Sequence, residues 1–166
     1  MMWVYFDASA LVKRYSSEVD VTLINEIFQQ ISRNQMTCST IGVLEMISIL
    51  VRKRNDGRLP TDLYNQAVLT LNQELIQDKE FRIAPVNDDL LLSAIELIAK
   101  HNLNATDTVI LRSCLDLRTY LQTERRSIFL CSCDKRLLRA AQQEGLHTFN
   151  PEVDNLSDLR NLLDTP

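Results

Sequence analysis

The amino-acid sequence predicts a three-layer α/β sandwich with a mainly parallel sheet at its centre, and three observations support this. Short apolar runs alternate with longer segments of helical period, which is the pattern of repeated strand–helix units. The first run, residues 3–6 (Trp-Val-Tyr-Phe), is unbroken, as in a strand buried on both faces. With 166 residues, of which 45% are hydrophobic and 24% charged, the chain has the size and composition of one globular domain.

Local signals then predict each element in order. Five apolar runs are predicted as strands, at residues 3–6, 36–40, 82–86, 127–133 and 146–149. Segments of helical period are predicted as helices, at residues 9–15, 19–33, 41–54, 62–77, 88–100, 106–122 and 135–144. Asn87 is predicted to cap the fifth helix, and Gly57 and Gly145 mark two helix ends. We expect residues 1–150 to form one domain and residues 151–166 a short tail that packs on it, with leucines in an amphipathic turn.

Composition excludes several classes of function. The chain has only 3 Gly, so neither the dinucleotide-binding nor the P-loop glycine pattern is present. The longest stretch with almost no charge, residues 34–51, contains Glu45 and begins with polar residues, so it does not qualify as a membrane span. Neither a basic leader nor an apolar secretory segment precedes Asp7, and we therefore expect a cytoplasmic protein.

Charge and cysteine content restrict the partners further. The net charge of −4, from 18 basic and 22 acidic residues, argues against a protein that coats nucleic acid through bulk charge. A nuclease stays open, because it needs only local basic patches around an acidic centre filled by cations. The four cysteines lack the paired spacing of zinc sites and are expected as reduced thiols, with Cys131 and Cys133 buried on one face of a strand.

Four carboxylates lie within otherwise apolar sequence, where acids are uncommon. Asp7 and Asp134 follow predicted strands, which places them at the carboxyl edge of a parallel sheet, where α/β proteins bind ligands. Glu45 is the only charged residue between positions 33 and 52, and branched apolar residues share its helical face. Asp107 lies in the first turn of a helix and begins an apolar stripe.

Each acid also has an ordinary structural explanation. Asp7 and Asp134 suit helix caps, Asp107 suits the positive end of a helix dipole, and Glu45 suits a stripe edge or a buried ion pair. Convergence of all four acids at one sheet edge would have one physical use, which is to hold a hard divalent cation such as Mg²⁺ or Mn²⁺. Like charges gathered without that ion would raise one another's pKa values.

Four segments of the sequence, taken in order, resemble the PIN-domain nucleases, and most closely the VapC-type toxin branch. They are residues 5–13 (Tyr-Phe-Asp-Ala-Ser-Ala-Leu-Val-Lys), residues 43–46 around Glu45, residues 105–107 (Ala-Thr-Asp) and residues 131–137 (Cys-Ser-Cys-Asp-Lys-Arg-Leu). The resemblance extends from Tyr5 to Pro151. It differs in the turn before Asp134, where Cys-Ser-Cys stands in place of the family's usual threonine and small residue.

The resemblance implies a PIN-like sheet of five parallel strands in the order 3-2-1-4-5. It also implies a metal-dependent endoribonuclease that hydrolyses RNA phosphodiester bonds with a metal-activated water and uses Mg²⁺ or Mn²⁺. The resemblance further implies that the chain is the toxin of a type II toxin–antitoxin pair, that a small antitoxin protein restrains it and that it forms a homodimer. By the same resemblance, Asp7, Glu45 and Asp107 match the core catalytic and metal-binding acids, and Asp134 matches the fourth.

Further residues acquire roles only through the resemblance. Ser9 and Ser132 match small hydroxyl residues that steady the acidic loops. Basic residues near the motifs are candidates to hold substrate phosphates, although helix-end cations are often only solvated. These candidates are Lys13, Arg14, Arg52, Lys53, Arg54, Arg58, Lys135, Arg136 and Arg139. His101 and His147 lie outside the motifs and are expected at the surface or at a strand edge.

Two alternative functions stay open at this point. One is a PIN nuclease that matures RNA without an antitoxin. The other is a receiver-like module that accepts a phosphoryl group, since such modules also gather acids at a parallel sheet edge. The receiver interpretation is less favoured, because the strand at residues 82–86 is followed by Asn87 in place of an acceptor aspartate.

Overall fold

A five-stranded parallel sheet forms the centre of the computed structural model, which describes residues 1–16 and 21–164. The strands are β1 (Met2–Phe6), β2 (Met36–Ser39), β3 (Arg82–Ala84), β4 (Ser127–Cys131) and β5 (His147–Phe149). Their order is β3-β2-β1-β4-β5, and every neighbouring pair is parallel. The predicted fold class and strand order are confirmed. A receiver-type sheet has the order 2-1-3-4-5, so the observed order argues against a receiver-like module.

Helices connect the strands and cover both faces of the sheet. They are α1 (Ala8–Leu11), α2 (Val21–Gln30), α3 (Thr40–Asn55), α4 (Thr61–Leu71), α5 (Asp88–His101), α6 (Ala105–Thr123), α7 (Lys135–Gln143) and α8 (Leu156–Leu163). Side-chain oxygens at the N-caps of most of them bond to the free N–H groups of the first turn. These capping residues are Asp7, Ser39, Asn87, Asn104, Asp134 and Asn155. The predicted cap at Asn87 is confirmed.

Two apolar cores lie on opposite faces of the sheet, because successive strand residues point to opposite sides. Val4 and Phe6 of β1 belong to a core shared with helices α1, α2, α3, α4 and α8. Trp3 and Tyr5 belong to a second core shared with α5, α6 and α7. All five residues of β1 are buried, as the unbroken apolar run predicts. The sheet therefore holds β1 rigidly between the two helical layers.

The last helix, α8, packs on the first core. Leu159 is fully buried, and Leu156, Leu162 and Leu163 are partly buried against the same core. Asn155 begins the helix in a reciprocal capping box with Asp158. As for membranes, none of the described helices is long and apolar enough to cross one.

Three predicted strands end earlier than expected, and β2 does so by a single residue, at Ser39. β4 stops at Cys131 and not at residue 133, so the prediction that Cys131 and Cys133 share one strand face is wrong. The chain turns away because the N–H of Cys133 donates to Ser9 Oγ (2.9 Å) and not to a neighbouring strand. β3 stops at Ala84, since the next residue is Pro85, which has no N–H to donate.

Several helix bounds also differ from those expected. The α-helix after β1 covers only Ala8–Leu11 and continues as a 3₁₀ turn, Val12–Arg14. The predicted start of the second helix at residues 19–20 lies outside the described residues, and its end comes at Gln30. The fourth helix is α-helical only to Leu71 and continues as a π-helical turn, Asn72–Ile76. None of these shifts moves a predicted acid away from the carboxyl edge of the sheet.

Candidate active site

The acids predicted from the sequence meet in one cavity. Asp7, Glu45, Asp107 and Asp134 all line a space of about 300 Å³ at the carboxyl edge of the sheet. The remaining lining residues are Ala8, Ser9, Ser48, Ile49 and Arg52. Four separate segments of the chain therefore contribute acids to this cavity, namely the residue after β1, helix α3, the first turn of α6 and the N-cap of α7.

Asp7 is held by hydroxyl groups from two loops. Its Oδ2 accepts hydrogen bonds from the Ser9 N–H (3.3 Å), from Ser9 Oγ (2.5 Å) and from Ser132 Oγ (2.8 Å). The two hydroxyl oxygens lie 3.3 Å apart, and Ser9 Oγ also accepts from Cys133 N. Asp7 itself is only 5% exposed. The Cys-Ser-Cys turn thus supplies the supporting hydroxyl through Ser132.

Asp134 is the N-cap of α7 and lines the cavity from the loop after β4, the strand next to β1. Its Oδ1 accepts from the N–H groups of Arg136 (2.7 Å) and Leu137 (3.1 Å), while its own N–H donates to Ser132 Oγ (3.0 Å). The capping explanation for Asp7 and Asp134 is therefore correct, but it does not exclude a role in the site. A cap needs only one carboxylate oxygen, and the second oxygen accepts no hydrogen bond from any described residue.

Asp107 is clamped by Asn104 at the start of α6. The Asn104 side chain caps the helix by accepting from the Asp107 N–H (2.9 Å) and donates through Nδ2 to Asp107 Oδ2 (2.7 Å). We did not single out Asn104 from the sequence, although an asparagine three positions before a first-turn acid is a signal for such a reciprocal bond. The clamp orients Asp107 with one oxygen held and one open.

Glu45 lies in the middle of α3, half-buried, and its side chain makes no hydrogen bond or ion pair with the described residues. Ser48 and Ile49, one turn further along the same helix face, line the cavity beside it. Arg52, two turns from Glu45, also lines the cavity. The helical face predicted around Glu45 is therefore the wall of the site.

Two of the gathered acids, Glu45 and Asp107, have raised pKa values. Burial, together with the charges of Asp7 and Asp107, raises the pKa of Glu45 to about 7, against the opposing charge of Arg52. Burial and the charges of Asp134 and Asp7 raise the pKa of Asp107 to about 6, against the charge of Arg136 and the Asn104 hydrogen bond. The cavity is thus a place where added positive charge lowers the electrostatic energy.

The donor set suits a hard cation that keeps part of its water shell. Within residues 1–16 and 21–164, no three Asp, Glu, His or Cys side chains stand close enough together to hold a metal ion directly. Mg²⁺ usually takes one or two carboxylates directly and retains several waters, so carboxylates spaced around a small cavity fit its requirements. Such carboxylate oxygens are available here. One oxygen each of Asp7, Asp107 and Asp134, and both oxygens of Glu45, accept no hydrogen bond from the described residues and could bind the ion or its waters.

Two of the basic candidates are structural. Lys13 is buried and pairs with Glu152 (Nζ to Oε1 2.7 Å). Arg14 makes a two-pronged bond to Glu74 (2.7 and 2.9 Å), and its guanidinium lies over the Phe28 ring. Both cations are therefore committed to partners within the fold, which argues against a role in holding substrate. Among the basic candidates, Arg52 is the one that lines the acidic cavity.

The other candidates lie outside that cavity. Arg54 lies over the Tyr64 ring, and Arg58 pairs with Asp56. His147 is exposed on the edge strand β5, as expected. The His101 imidazole is instead buried against Glu144 and Gln143, because the end of α5 packs on the end of α7.

The chain is similar to a known protein family and to several solved structures. A family model described as PIN domain matches residues 4–143. No sequence among the curated proteins matches the chain. Solved structures resemble it at low sequence identity, so they bear on the fold alone.

Three of these structures illustrate the similarity. PAE2754 from Pyrobaculum aerophilum has a TM-score of 0.61 and 15% identity, with 99% of this chain and 91% of that chain covered. FitAB bound to an IR36 DNA fragment has a TM-score of 0.61 and 15% identity, with 92% and 97% covered. A toxin–antitoxin complex from Klebsiella pneumoniae has a TM-score of 0.54 and 16% identity, with 89% and 97% covered.

Proposed function

Because this chain belongs to the PIN domain family, we propose that it is a metal-dependent endoribonuclease and the toxin of a toxin–antitoxin pair. The observation that carries the proposal is the meeting of Asp7, Glu45, Asp107 and Asp134 around one cavity. Raised pKa values at Glu45 and Asp107 support it, since perturbed acids gathered in a cleft are typical of functional sites.

The open carboxylate oxygens of Asp7, Glu45, Asp107 and Asp134 would hold Mg²⁺ or Mn²⁺, in part through water molecules. When bound, such an ion makes a water molecule acidic enough to attack a phosphodiester near neutral pH and stabilises the charge that develops on the phosphate. The chain's own groups position this chemistry. Ser9 and Ser132 fix the orientation of Asp7, and Asn104 fixes that of Asp107.

Arg52 is the candidate contact for a substrate phosphate. It is exposed at the rim of the acidic cavity and makes no ion pair with any residue that the structure describes. A cation beside the acids counters the repulsion between the site and a polyanionic RNA, which the net charge of −4 would otherwise strengthen. We assign it the role of holding a phosphate next to the reacting one.

An antitoxin partner is proposed on two grounds. The chain resembles a solved toxin–antitoxin complex over 89% of its length. Its acidic cavity, where Glu45 has a pKa of about 7, would bind a cationic side chain of a small protein in place of the metal ion. Nuclease activity would then be blocked for as long as the antitoxin stays bound.

We also propose that the chain forms a homodimer through α5. Leu91, Leu92, Ile95 and Ile98 are exposed along one side of this helix, while Ala94 and Leu97 on its other side are buried. A continuous stripe of large exposed apolar side chains is uncommon on a monomer and marks an interaction surface. We call these four exposed residues the α5 stripe.

A second copy of this chain suits the α5 stripe because the helix is complementary to itself. Acidic Asp88 and Asp89 lie in its first turn, and Lys100 lies in its last. Two copies packed antiparallel about the helix centre would bring Asp89 of each towards Lys100 of the other, with the apolar residues between them. Lys100 Nζ also lies 2.6 Å from Glu144 Oε1 of its own chain. In the dimer, Glu144 and Asp89 of the other copy would share this lysine.

The decisive experiment measures cleavage of RNA by the purified protein with Mn²⁺, with Mg²⁺ and with a chelator. Cleavage is expected only with metal and is expected to be lost in Asp7→Asn. Asp62→Asn, an exposed acid on α4 outside the cavity, is the matched control and should cleave normally. Cleavage that persists in chelator and in Asp7→Asn would overturn the proposed mechanism.

A further inference from the structure

A second polar cavity lies at the opposite, amino-terminal edge of the sheet. It encloses about 240 Å³, and its lining includes Trp3, Ser32, Asn34, Gln35, Arg82 and Arg126. These residues lie at or just before the starts of β1, β2, β3 and β4, whereas the acidic cavity lies beyond the strand ends. At roughly 3.3 Å per residue, a strand of this length separates the two cavities by on the order of 15 Å.

Buried hydrogen-bond donors at this cavity lack acceptors. Trp3 is only 3% exposed, and its indole Nε1 has no hydrogen-bond partner among the described residues. The side-chain nitrogen of Gln35 is likewise buried without a partner. Leaving a buried N–H unpaired costs free energy, so native proteins pair such groups with a protein atom, a water or a ligand.

The same cavity carries positive charge. The Arg82 guanidinium carbon lies 4.9 Å from the centre of the Trp3 ring, and this cation makes no ion pair within the described part of the chain. Arg126 forms an ion pair with Glu124 (Nη1 to Oε2 2.9 Å). No acid is found among the described residues that line the cavity. In a protein with a net charge of −4, such a local excess of cations is a distinct feature.

We propose that this amino-edge cavity binds an oxyanion of the phosphate class, either inorganic phosphate or the phosphate group of a nucleotide. Arg82 and Arg126 supply the charge, and Trp3 and Gln35 supply neutral N–H donors. Two guanidinium groups together with separate N–H donors match the several oxygens of a tetrahedral dianion better than the two oxygens of a carboxylate. The volume accommodates a phosphate group with some water, while the Arg82 side chain already covers a face of the indole ring.

The chain contains its own reporter for this site, because Trp3 is the only tryptophan. Its fluorescence is titrated with inorganic phosphate, with 5′-AMP and, at matched ionic strength, with acetate and chloride. Chelator is present throughout, so that metal at the acidic cavity does not contribute. A saturable change with phosphate, and a weaker one or none with acetate and chloride, is expected. Tighter binding of 5′-AMP would identify a nucleotide as the ligand, and equal binding would identify phosphate alone.

Phosphate binding by variants is measured by calorimetry. Fluorescence is unsuitable for them, because Arg82 lies over the Trp3 ring and its replacement would itself change the signal. Arg126→Gln and Arg82→Gln are each expected to weaken phosphate binding by about tenfold, the usual effect of losing one charge-assisted bond. Trp3→Phe keeps an aromatic ring at this position but removes the indole N–H, and it should weaken binding by a smaller factor. Arg160→Gln, at an exposed cation on α8, is the matched control and should bind as the natural chain does.

Two results would overturn the proposal. One is a response to phosphate that acetate or chloride reproduces at the same ionic strength. The other is unchanged affinity in both Arg82→Gln and Arg126→Gln. Asp7→Asn is expected to bind phosphate normally, so the amino-edge site is tested independently of the proposed nuclease activity.

Discussion

Ser132 Oγ donates a 2.8 Å hydrogen bond to Asp7 Oδ2 across 125 positions of sequence. The bond joins the loop after β4 to the end of β1, and its acceptor oxygen is shared with Ser9. Because β1 and β4 are neighbours in the sheet, the two loops meet beside the acidic cavity. Asp7 is therefore oriented by the fold before any cation binds, and its other oxygen is left for that purpose.

Replacing Ser132 by Ala tests this arrangement. The variant removes one donor to Asp7 and the acceptor for the Asp134 N–H. We expect metal affinity or cleavage to fall about 10-fold or more, as for other groups that orient ligands, and the free energy of unfolding to fall by about 1 kcal/mol. Cleavage is measured at limiting and at saturating Mn²⁺.

The matched control is Ser93→Ala, whose hydroxyl bonds only to the Leu90 carbonyl on the surface of α5. It should change neither metal affinity nor cleavage. Equal loss in the two variants would show that the hydroxyl bridge does not position Asp7.

Stability of the metal-free protein should fall with rising pH because of Glu45. Its pKa is about 7 in the folded chain, above the ordinary value of 4.5. The folded state therefore holds a proton that the unfolded state has already lost, and stability declines as pH rises between these two values. Glu45→Gln removes this dependence. The free energy of unfolding of this variant should therefore exceed that of the natural chain by more at about pH 8 than at about pH 4.

Urea denaturation in the presence of chelator measures the effect. Glu80→Gln, an exposed glutamate outside the cavity, serves as the control and should follow the natural chain at both pH values. A gain in Glu45→Gln that is the same at the two pH values would show that repulsion at the acidic cavity does not act on stability.

Arg52 and Arg14 should respond oppositely to replacement by Gln. Arg52 lies at the cavity rim, so Arg52→Gln is expected to lower kcat/KM for RNA by about tenfold with little change in stability. Arg14 bridges to Glu74, so Arg14→Gln is expected to lower the free energy of unfolding by about 1–3 kcal/mol. Cleavage per folded molecule is compared with unfolding of each variant, and a reversed pattern would contradict both assignments.

Ile95→Glu should convert a dimer into a monomer. Ile95 is 58% exposed at the centre of the α5 stripe, and a buried carboxylate at its place would be costly to desolvate. Leu69→Glu on α4 is a control of equal kind, because Leu69 is 57% exposed outside the stripe. Light scattering measures the molar mass of the natural chain and of both variants. A monomeric natural chain would contradict the proposed interface.

Local sequence patterns were enough to predict the strands, most helices and the four acids. Apolar runs and helical periodicity indicate which face of an element is buried. A polar residue after a predicted strand indicates a helix cap, as at Asn87. The resemblance to PIN nucleases added the strand order, which periodicity cannot supply. Element ends were less predictable, because β4 stops where Cys133 finds a partner in Ser9.

The sequence by itself determined that Asp7, Glu45, Asp107 and Asp134 stand where acids are costly. Only the tertiary structure decided that Lys13 and Arg14 are committed to Glu152 and Glu74, that Asn104 clamps Asp107, and that Arg52 reaches the cavity. It also decided that arginines meet unpaired donors at the amino edge. The physical reason is that periodicity reports burial within one element, whereas pairing between charges and donors depends on which distant elements become neighbours.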